Sequence, residues 1–451
     1  MERMELSQDL GREILAIAKG KGASAGDMVM VESESFSVTV RMGDVEKISQ
    51  AAEKRLGLRL FLANSSASAS TSDISKQSIE KLVDDTVKMA RVTAQDPHGG
   101  LPGAEMLARD LPDLDLLDNS ARNVSVDEKI QIALDTEKSA LAFDERITNS
   151  EGAEFSNQYG RVIYVSSQGF AGEYSGSTFG HSVSPVAQHD GAMQRDYWYS
   201  SSRKFAGLES SKHVGEKAAR RVLRRLGGRK VKTCEVPVVF DPDMAASLLR
   251  ALASAINGYS LYKGASFLAG KLNEKVGSQL LTVIDDGTIP GALGSRPFDA
   301  EGLPIRKKTV VEKGELKTYL LDTYSGKKLG MGSTGNASRS VGEPPGVSPA
   351  NFYLAPGEES PEQIIGSVKN GLYVTEMIGF GVNMVTGDYS RGAAGMWIEN
   401  GELAYPVEEI TVAGNLKEMF QNIELVGNDL EMRGRIVAPT VKIAKMTVAG
   451  N

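Results

Sequence analysis

Four histidines and one cysteine are the side chains of this 451-residue sequence best suited to holding a transition metal, so their spacing is the first test for metal chemistry. His181 and His189 lie eight apart, with Asp190 adjacent. On a strand their equal parity puts both on one face, yet ~26 Å apart, so they share an ion only if the strand folds back. His213 and Glu216 stand three apart on a helical pattern and can face the same way. No third ligand accompanies them, and the plain reading is a solvated helix start. His98 sits in a Gly/Pro-rich stretch and reads as exposed. Cys234, between Thr233 and Glu235, reads as a small core or boundary residue rather than a nucleophile. Neither a G-x-S-x-G elbow nor a G-x-x-x-x-G-K-[ST] phosphate loop occurs. The glycine-rich loop 387–395 lacks the following helix that would hold a phosphate. Within it Arg391 has two readings: a fork for a carboxylate, such as a peptide C-terminus or acidic side chain, or a structural salt bridge with Asp388.

The run Arg220, Arg221, Arg224, Arg225, Arg229, Lys230 and Lys232 invites a nucleic-acid reading. Val214, Ala218, Val222, Leu223 and Leu226 define an apolar stripe on the same helix, which leaves the cations on its solvated side. With 51 basic against 58 acidic residues the chain carries a net charge of −7, which offers nucleic acid no global attraction.

These residues need elements to position them. Leu6, Leu10, Ile14, Ile17 and Ala18 mark an amphipathic helix over 6–22. Phe36, Val38, Val40 and Met42 alternate with polar residues, as do Leu56, Leu58, Leu60 and Leu62, which predicts strands on either side of a Gly43-Asp44 turn. Asp73 can cap a second helix, and the composition of 95–103 is that of a linker. A middle part then opens with a helix at 126–142. It continues through extended segments near 162–167, 172–186 and 192–205 with short connections, which favour antiparallel pairing, and closes with the helix 212–226. The third part starts with the buried strand 236–240. Asp241-Pro242 then provides an N-cap and a first-turn proline for a helix that is apolar almost all round (Met244, Leu248, Leu249, Leu252, Ala255, Ile256). Hairpin signals stand at Lys313-Gly314 and Asn400-Gly401, and helices fit after Ser360-Pro361 and over 415–423. The expectation is an α+β chain in three parts, 1–110, 111–232 and 233–451. Its sheets are antiparallel or mixed, and the C-terminal part is β-rich around a buried helix.

Length and 41% hydrophobic content allow several sizeable cores. One cysteine permits no intrachain disulfide. No apolar signal-peptide core and no run of ~18 apolar residues is present, so the expected location is the cytoplasm, away from membranes.

Three blocks carry more. The longest is Gly387-Asp388-Tyr389-Ser390-Arg391-Gly392-Ala393-Ala394-Gly395-Met396-Trp397-Ile398-Glu399-Asn400-Gly401-Glu402, continued through Tyr405-Pro406-Val407, Glu409-Ile410-Thr411 and Ala413-Gly414-Asn415-Leu416. It is preceded by Arg296-Pro297-Phe298-Asp299-Ala300-Glu301-Gly302 and Ser333-Thr334-Gly335-Asn336. In this order they resemble the TldD/PmbA family, bacterial metalloprotease subunits that work as TldD–TldE pairs. By that resemblance the catalytic subunit holds zinc with two histidines of a helical His-Glu-x-x-x-His motif and a cysteine near its C-terminus, the glutamate acting as general base. The corresponding helix here, Leu248 to Gly258, places no His or Glu at those positions in either of two adjacent registers, and Arg250 puts a cation there. The segment Ala438 to Ile443 has no cysteine. The resemblance therefore implies a subunit with no catalytic residue and no cofactor of its own, zinc being expected in a TldD-type catalytic partner. The pair would degrade or trim unfolded and small peptides, including peptide-antibiotic precursors and an antitoxin. Arg250, Asn257, Asp388, Tyr389 and Arg391 are the expected substrate contacts. The alternative is a stand-alone homodimeric peptide-binding or regulatory protein without hydrolysis. The family's older label, modulator of DNA gyrase, does not by itself imply contact with DNA.

Overall fold

The structure, a computed structural model, describes residues 5–450. Helix Gln8–Gly20 starts where the Ser7 hydroxyl accepts from the Leu10 amide, and it buries Leu10, Ile14, Leu15 and Ala18. Two long antiparallel strands follow, Ala25–Arg41 and Asp44–Leu62. Met42 and Gly43 join them with positive φ at both positions, as a tight hairpin demands. Both strands outrun the expected 36–42 and 56–62. The reason lies on one face of the first: Met28 and Met30 are buried at one end and Phe36, Val38 and Val40 at the other. Glu32 and Glu34 occupy the same face between them and interrupt the apolar alternation from which a strand is read.

Strand Ala25–Arg41 also pairs with Ile147–Ser166, from Asp27 opposite Ser166 to Val40 opposite Ala153. One antiparallel sheet of seven strands therefore crosses the expected border at residue 110. Strand partners far apart in sequence leave no periodic trace, so this pairing between the first and middle parts is not legible in the sequence. Helices Gln8–Gly20 and Lys76–Val92 cover Met28 and Met30. Val126–Leu141 and Ser211–Leu223 cover Phe36, Val38 and Val40. On the opposite face Val29 and Tyr164 meet Phe298 of the C-terminal part.

In that part strand Cys234–Phe240 pairs parallel with Asn370–Ile378 and antiparallel with Val441–Ala449. Asn370–Ile378 continues to Asp388–Glu399 and then Glu402–Asn415, which returns to Val441–Ala449 and closes the sheet on itself. Helix Pro242–Ala255 is sandwiched between this closed sheet and a second, five-stranded one. Leu248, Leu249 and Leu252 share one core with Phe240 and Leu372 on one side and Val283 and Phe352 on the other. The architecture is thus α+β with antiparallel and mixed sheets and a β-rich C-terminal part around a buried helix.

One sequence expectation changes here. The stretch 387–395 is not a loop: Asp388–Glu399 is a central strand. Its glycines serve close packing, since a Cβ at Gly395 would sit 2.0 Å from the Tyr373 carbonyl oxygen, across a register shift in both neighbouring pairings. Gly395→Ala is expected to lower stability by about 3 kcal/mol, an overpacking cost, measurable by urea denaturation. A loss within 0.5 kcal/mol, roughly that of an ordinary surface substitution, would count against the tight approach.

Candidate functional site

Asp241 caps helix Pro242–Ala255 by accepting from the Met244 amide, with Pro242 in the first turn. One side of the helix enters the core. The other presents Ser247, Arg250 and Ser254, of which Arg250 and Ser254 are exposed. The hydroxyls of Ser247 and Ser254 donate back to the Met244 and Arg250 carbonyls. Apart from Asp243 in the first turn, this face therefore holds no metal-ligating side chain, and no imidazole or thiol.

The five expected substrate contacts do not converge. Asn257 is the N-cap of helix Gly258–Tyr262 and donates to the Val347 carbonyl at 3.2 Å. Tyr389 is buried in the C-terminal core near Ser247. Burial pushes its phenol up to about 12 against the opposing influence of Arg391, and its hydroxyl has no partner in hydrogen-bonding geometry. Asp388 is exposed and accepts from Thr386 Oγ1 and Asn415 Nδ2. Arg391 pairs with neither a carboxylate nor Asp388: it donates to the carbonyls of Gly379 at 3.0 Å and Met377 at 3.4 Å, holding the preceding loop. A sequence shows the side-chain charges that might pair, but not the bare carbonyls a turn leaves nearby.

His181 is a core residue between Thr136 Oγ1 at 3.0 Å and the Glu209 carbonyl at 2.9 Å, and burial lowers its pKa. His189 is exposed beside Asp190 at 3.4 Å. His213 meets Glu209 at 3.6 Å rather than sharing a site with Glu216. His98 is partly covered instead of exposed. Cys234 opens the strand Cys234–Phe240 at intermediate exposure, and burial raises its thiol pKa. Among the described residues no three of His, Cys, Asp and Glu stand together so as to hold a metal ion.

The basic run is solvated only in part: Arg220, Arg229, Lys230 and Lys232 are exposed, while Arg221, Arg224 and Arg225 are half-buried. Arg221 binds Asp196 at 3.2 Å and lies 3.6 Å from Asp241, while Arg225 binds Glu376 at 2.5 Å and Lys230 binds Glu409 at 3.0 Å. The helix Ser211–Leu223 and the residues just after it form the seam with the C-terminal part. Docking against strand Asn370–Ile378 is a tertiary event that helical periodicity cannot announce.

The first of the two shorter sequence blocks, 296–302, takes part in a second seam. Asp27 accepts from Arg59 (3.2 and 2.5 Å), Arg339 (2.9 Å) and the Tyr164 hydroxyl (3.0 Å). Those cations hold its carboxyl at about 2 despite complete burial, the largest single influence on it. Glu301 sits 3.7 Å from Arg59 and accepts from the Thr323 amide. Asp299 takes three peptide N–H groups, from Glu301, Leu303 and Ala337. Burial raises the pKa of both acids. In the other block Asn336 donates to Asp285 at 2.8 Å. Glu301 thus joins the C-terminal part to the seven-stranded sheet, while Asp299 and Asn336 brace the C-terminal part itself.

A cleft of about 290 Å³ opens at the N-terminal end of helix Pro242–Ala255, between that helix and the seam helix Ser211–Leu223. Trp198, Arg221, Asp241 and Arg433 line it. Strand Trp198–Ser202 borders it and, among the described residues, pairs with one neighbouring strand, Ala171–His189. Burial raises the Tyr199 phenol, with Asp243 adding to the rise and Arg433 and Arg250 opposing it, which places this ring within electrostatic reach of both the cleft and Arg250. Sequence reading missed the cleft, because its residues come from segments more than two hundred positions apart.

Residues 26–90, 119–226 and 233–450 match, in that order, domain 1, the central domain and the C-terminal domain of the PmbA/TldA metallopeptidases. The chain is 39% identical to Metalloprotease PmbA of Escherichia coli O157:H7 over 97% of its own length and 94% of that protein. A crystal structure from Bacteroides thetaiotaomicron, labelled a modulator of DNA gyrase, superposes with a TM-score of 0.91 at 30% identity, covering 98% of this chain and 99% of that one. TldE from Thermococcus kodakarensis shares the fold, with a TM-score of 0.87 at 21% identity over 97% and 99% of the two chains.

Proposed function

The chain belongs to the PmbA/TldD metallopeptidase family, and from that premise we propose that it is the PmbA/TldE-type, non-catalytic subunit of a two-chain peptidase acting on unfolded and small peptides. The observation carrying this is the outward face of helix Pro242–Ala255. The helix is capped, packed and complete, yet it shows Ser247, Arg250 and Ser254 where a zinc site needs imidazoles and a carboxylate. With no suitable donor cluster among the described residues, zinc does not fit this chain, although its relatives carry the name metalloprotease. The metal and the general base then belong to a TldD-type partner, and this chain contributes the wall that holds an extended substrate. The unpaired edge of strand Trp198–Ser202 suits such a role, because added main-chain bonds bind a peptide without demanding a sequence. Arg250, exposed and near Tyr199, supports this reading as the residue among the five expected contacts that would meet such a peptide.

Peptide digestion by this chain, a TldD-type partner and their mixture, each with and without chelator, tests the proposal. Cleavage is expected only in the mixture and only without chelator. Chelator-sensitive cleavage by this chain alone would refute it. A partner equally active without this chain would remove the supporting role and favour a stand-alone binding protein.

A further inference from the structure

The charges around the cleft do not cancel locally. Of the lining acids, Asp241 faces Arg221 and caps its helix, Asp429 accepts from the Thr440 amide and hydroxyl, and Glu431 binds Arg433 Nε at 2.6 Å. Asp243 is the lining carboxylate with no such partner among the described residues. Against it stand two cations without a carboxylate. Lys217 lies over the Trp198 ring at 3.9 Å and makes no ion pair among the described residues. Arg224 has two guanidinium nitrogens, Nε and Nη2, buried with no acceptor among the described residues. Arg433, on the same indole at 4.1 Å, leaves its Nη1 buried and unmatched as well. Burial is the main influence lowering the pKa of both Lys217 and Arg224. Arg433 and Arg221 add to it at Lys217, where Glu431 and Glu209 oppose it; Arg221 adds to it at Arg224, where Asp196 and Asp241 oppose it. Cations held together in a half-enclosed cavity favour an anion there, since the field between low-dielectric walls is poorly screened. The volume, about 290 Å³, suits a chain end rather than a folded surface.

We propose that this cleft is an oxyanion site that takes a peptide carboxylate, with Lys217 as the direct donor and Arg224 and Arg433 supplying the field. The assignment rests on the peptide-handling role above and names the part of the substrate recognised: a free C-terminal carboxylate entering beside the open edge of strand Trp198–Ser202. The Trp198 ring, 3% exposed, holds Lys217 and Arg433 in place at the cleft.

Calorimetric titration of the isolated full-length chain with a short apolar peptide, its C-terminal amide and inorganic phosphate tests the site without any hydrolysis or partner. The free acid is expected to bind at least tenfold tighter than the amide, and phosphate to compete with it. Lys217→Met should weaken the acid tenfold or more with an unchanged melting temperature, and Lys217→Arg should restore most of it. Equal binding of acid and amide, no loss in Lys217→Met, or binding of phosphate but not peptide would each overturn the proposal. Since partner and metal are absent from this assay, a failure here is separate from a failure of the two-subunit reading, which only the digestion experiment reports.

Discussion

Arg59→Met is expected to remove about 3 kcal/mol or more of folding stability, the usual cost of breaking a buried ion pair from one side. Arg59 is fixed between two elements distant in sequence. It makes two bonds to Asp27 on the neighbouring strand and lies 3.7 Å from Glu301 in the C-terminal part. The side chains of Asp27 and Glu301 are 0% and 1% exposed, so water cannot replace the lost cation. Arg339 and Tyr164 would still hold Asp27, which is why the expected loss sits at the low end of the range for a fully orphaned charge. Urea denaturation of the single variants and of Arg59→Met with Asp27→Asn gives the coupling directly. The double variant should recover part of the loss. Strict additivity, or a single-variant loss below about 1 kcal/mol, would mean that the clamp is held by packing around Phe298 and that the ion pair merely sits in it.

Stability should also fall as pH rises from about 4 to about 7, opposite to the trend set by ordinary paired carboxylates. Asp241, 3% exposed, is pushed up from 3.8 to about 6, mainly by burial, with Asp243 adding to the rise and Arg221 and Arg224 opposing it. Arg221 itself is raised by its acids, which points to attraction, while Asp241 is raised, which points to a desolvation cost. The two agree once Arg221 is seen to be shared: Asp196 holds it at 3.2 Å and Asp241 only at 3.6 Å. A carboxyl whose folded pKa exceeds its unfolded value keeps a proton that the unfolded chain releases. Its contribution is therefore fully present below about pH 4 and lost as pH passes through the folded value, by about 3 kcal/mol for a two-unit shift. Glu301 shifts in the same direction, again through burial. Asp27, held low at about 2, acts oppositely, but only below about pH 4. Asp241→Asn preserves the helix cap and removes the titration. It should match the parent below about pH 4 and exceed it by about 3 kcal/mol at pH 8. Parallel pH profiles for the two proteins would show that Asp241 is ionised throughout.

The local rules were legible in the sequence. Asp241-Pro242 announced a helix start, Lys313-Gly314 and Asn400-Gly401 announced turns with positive φ, and the apolar girth of 244–256 announced a helix inside a core. The absence of metal ligands on that helix was equally visible, since it depends on residue identity at known spacing. No helix of the described residues is long and apolar enough to cross a membrane. What the sequence could not show were pairings between distant segments. The strand Asp388–Glu399 looked like a glycine-rich loop, because glycines that admit a neighbouring backbone are indistinguishable, in a string of letters, from glycines that let a chain turn. Arg221 and Arg225 looked solvated, because helical periodicity separates apolar from polar faces but does not say what a polar face meets. Lys217, Trp198 and Arg433 carry no motif at all. Their cleft exists because charges from three segments are brought within a few ångströms, and Coulomb energy depends on distance in space, which only the folded chain decides.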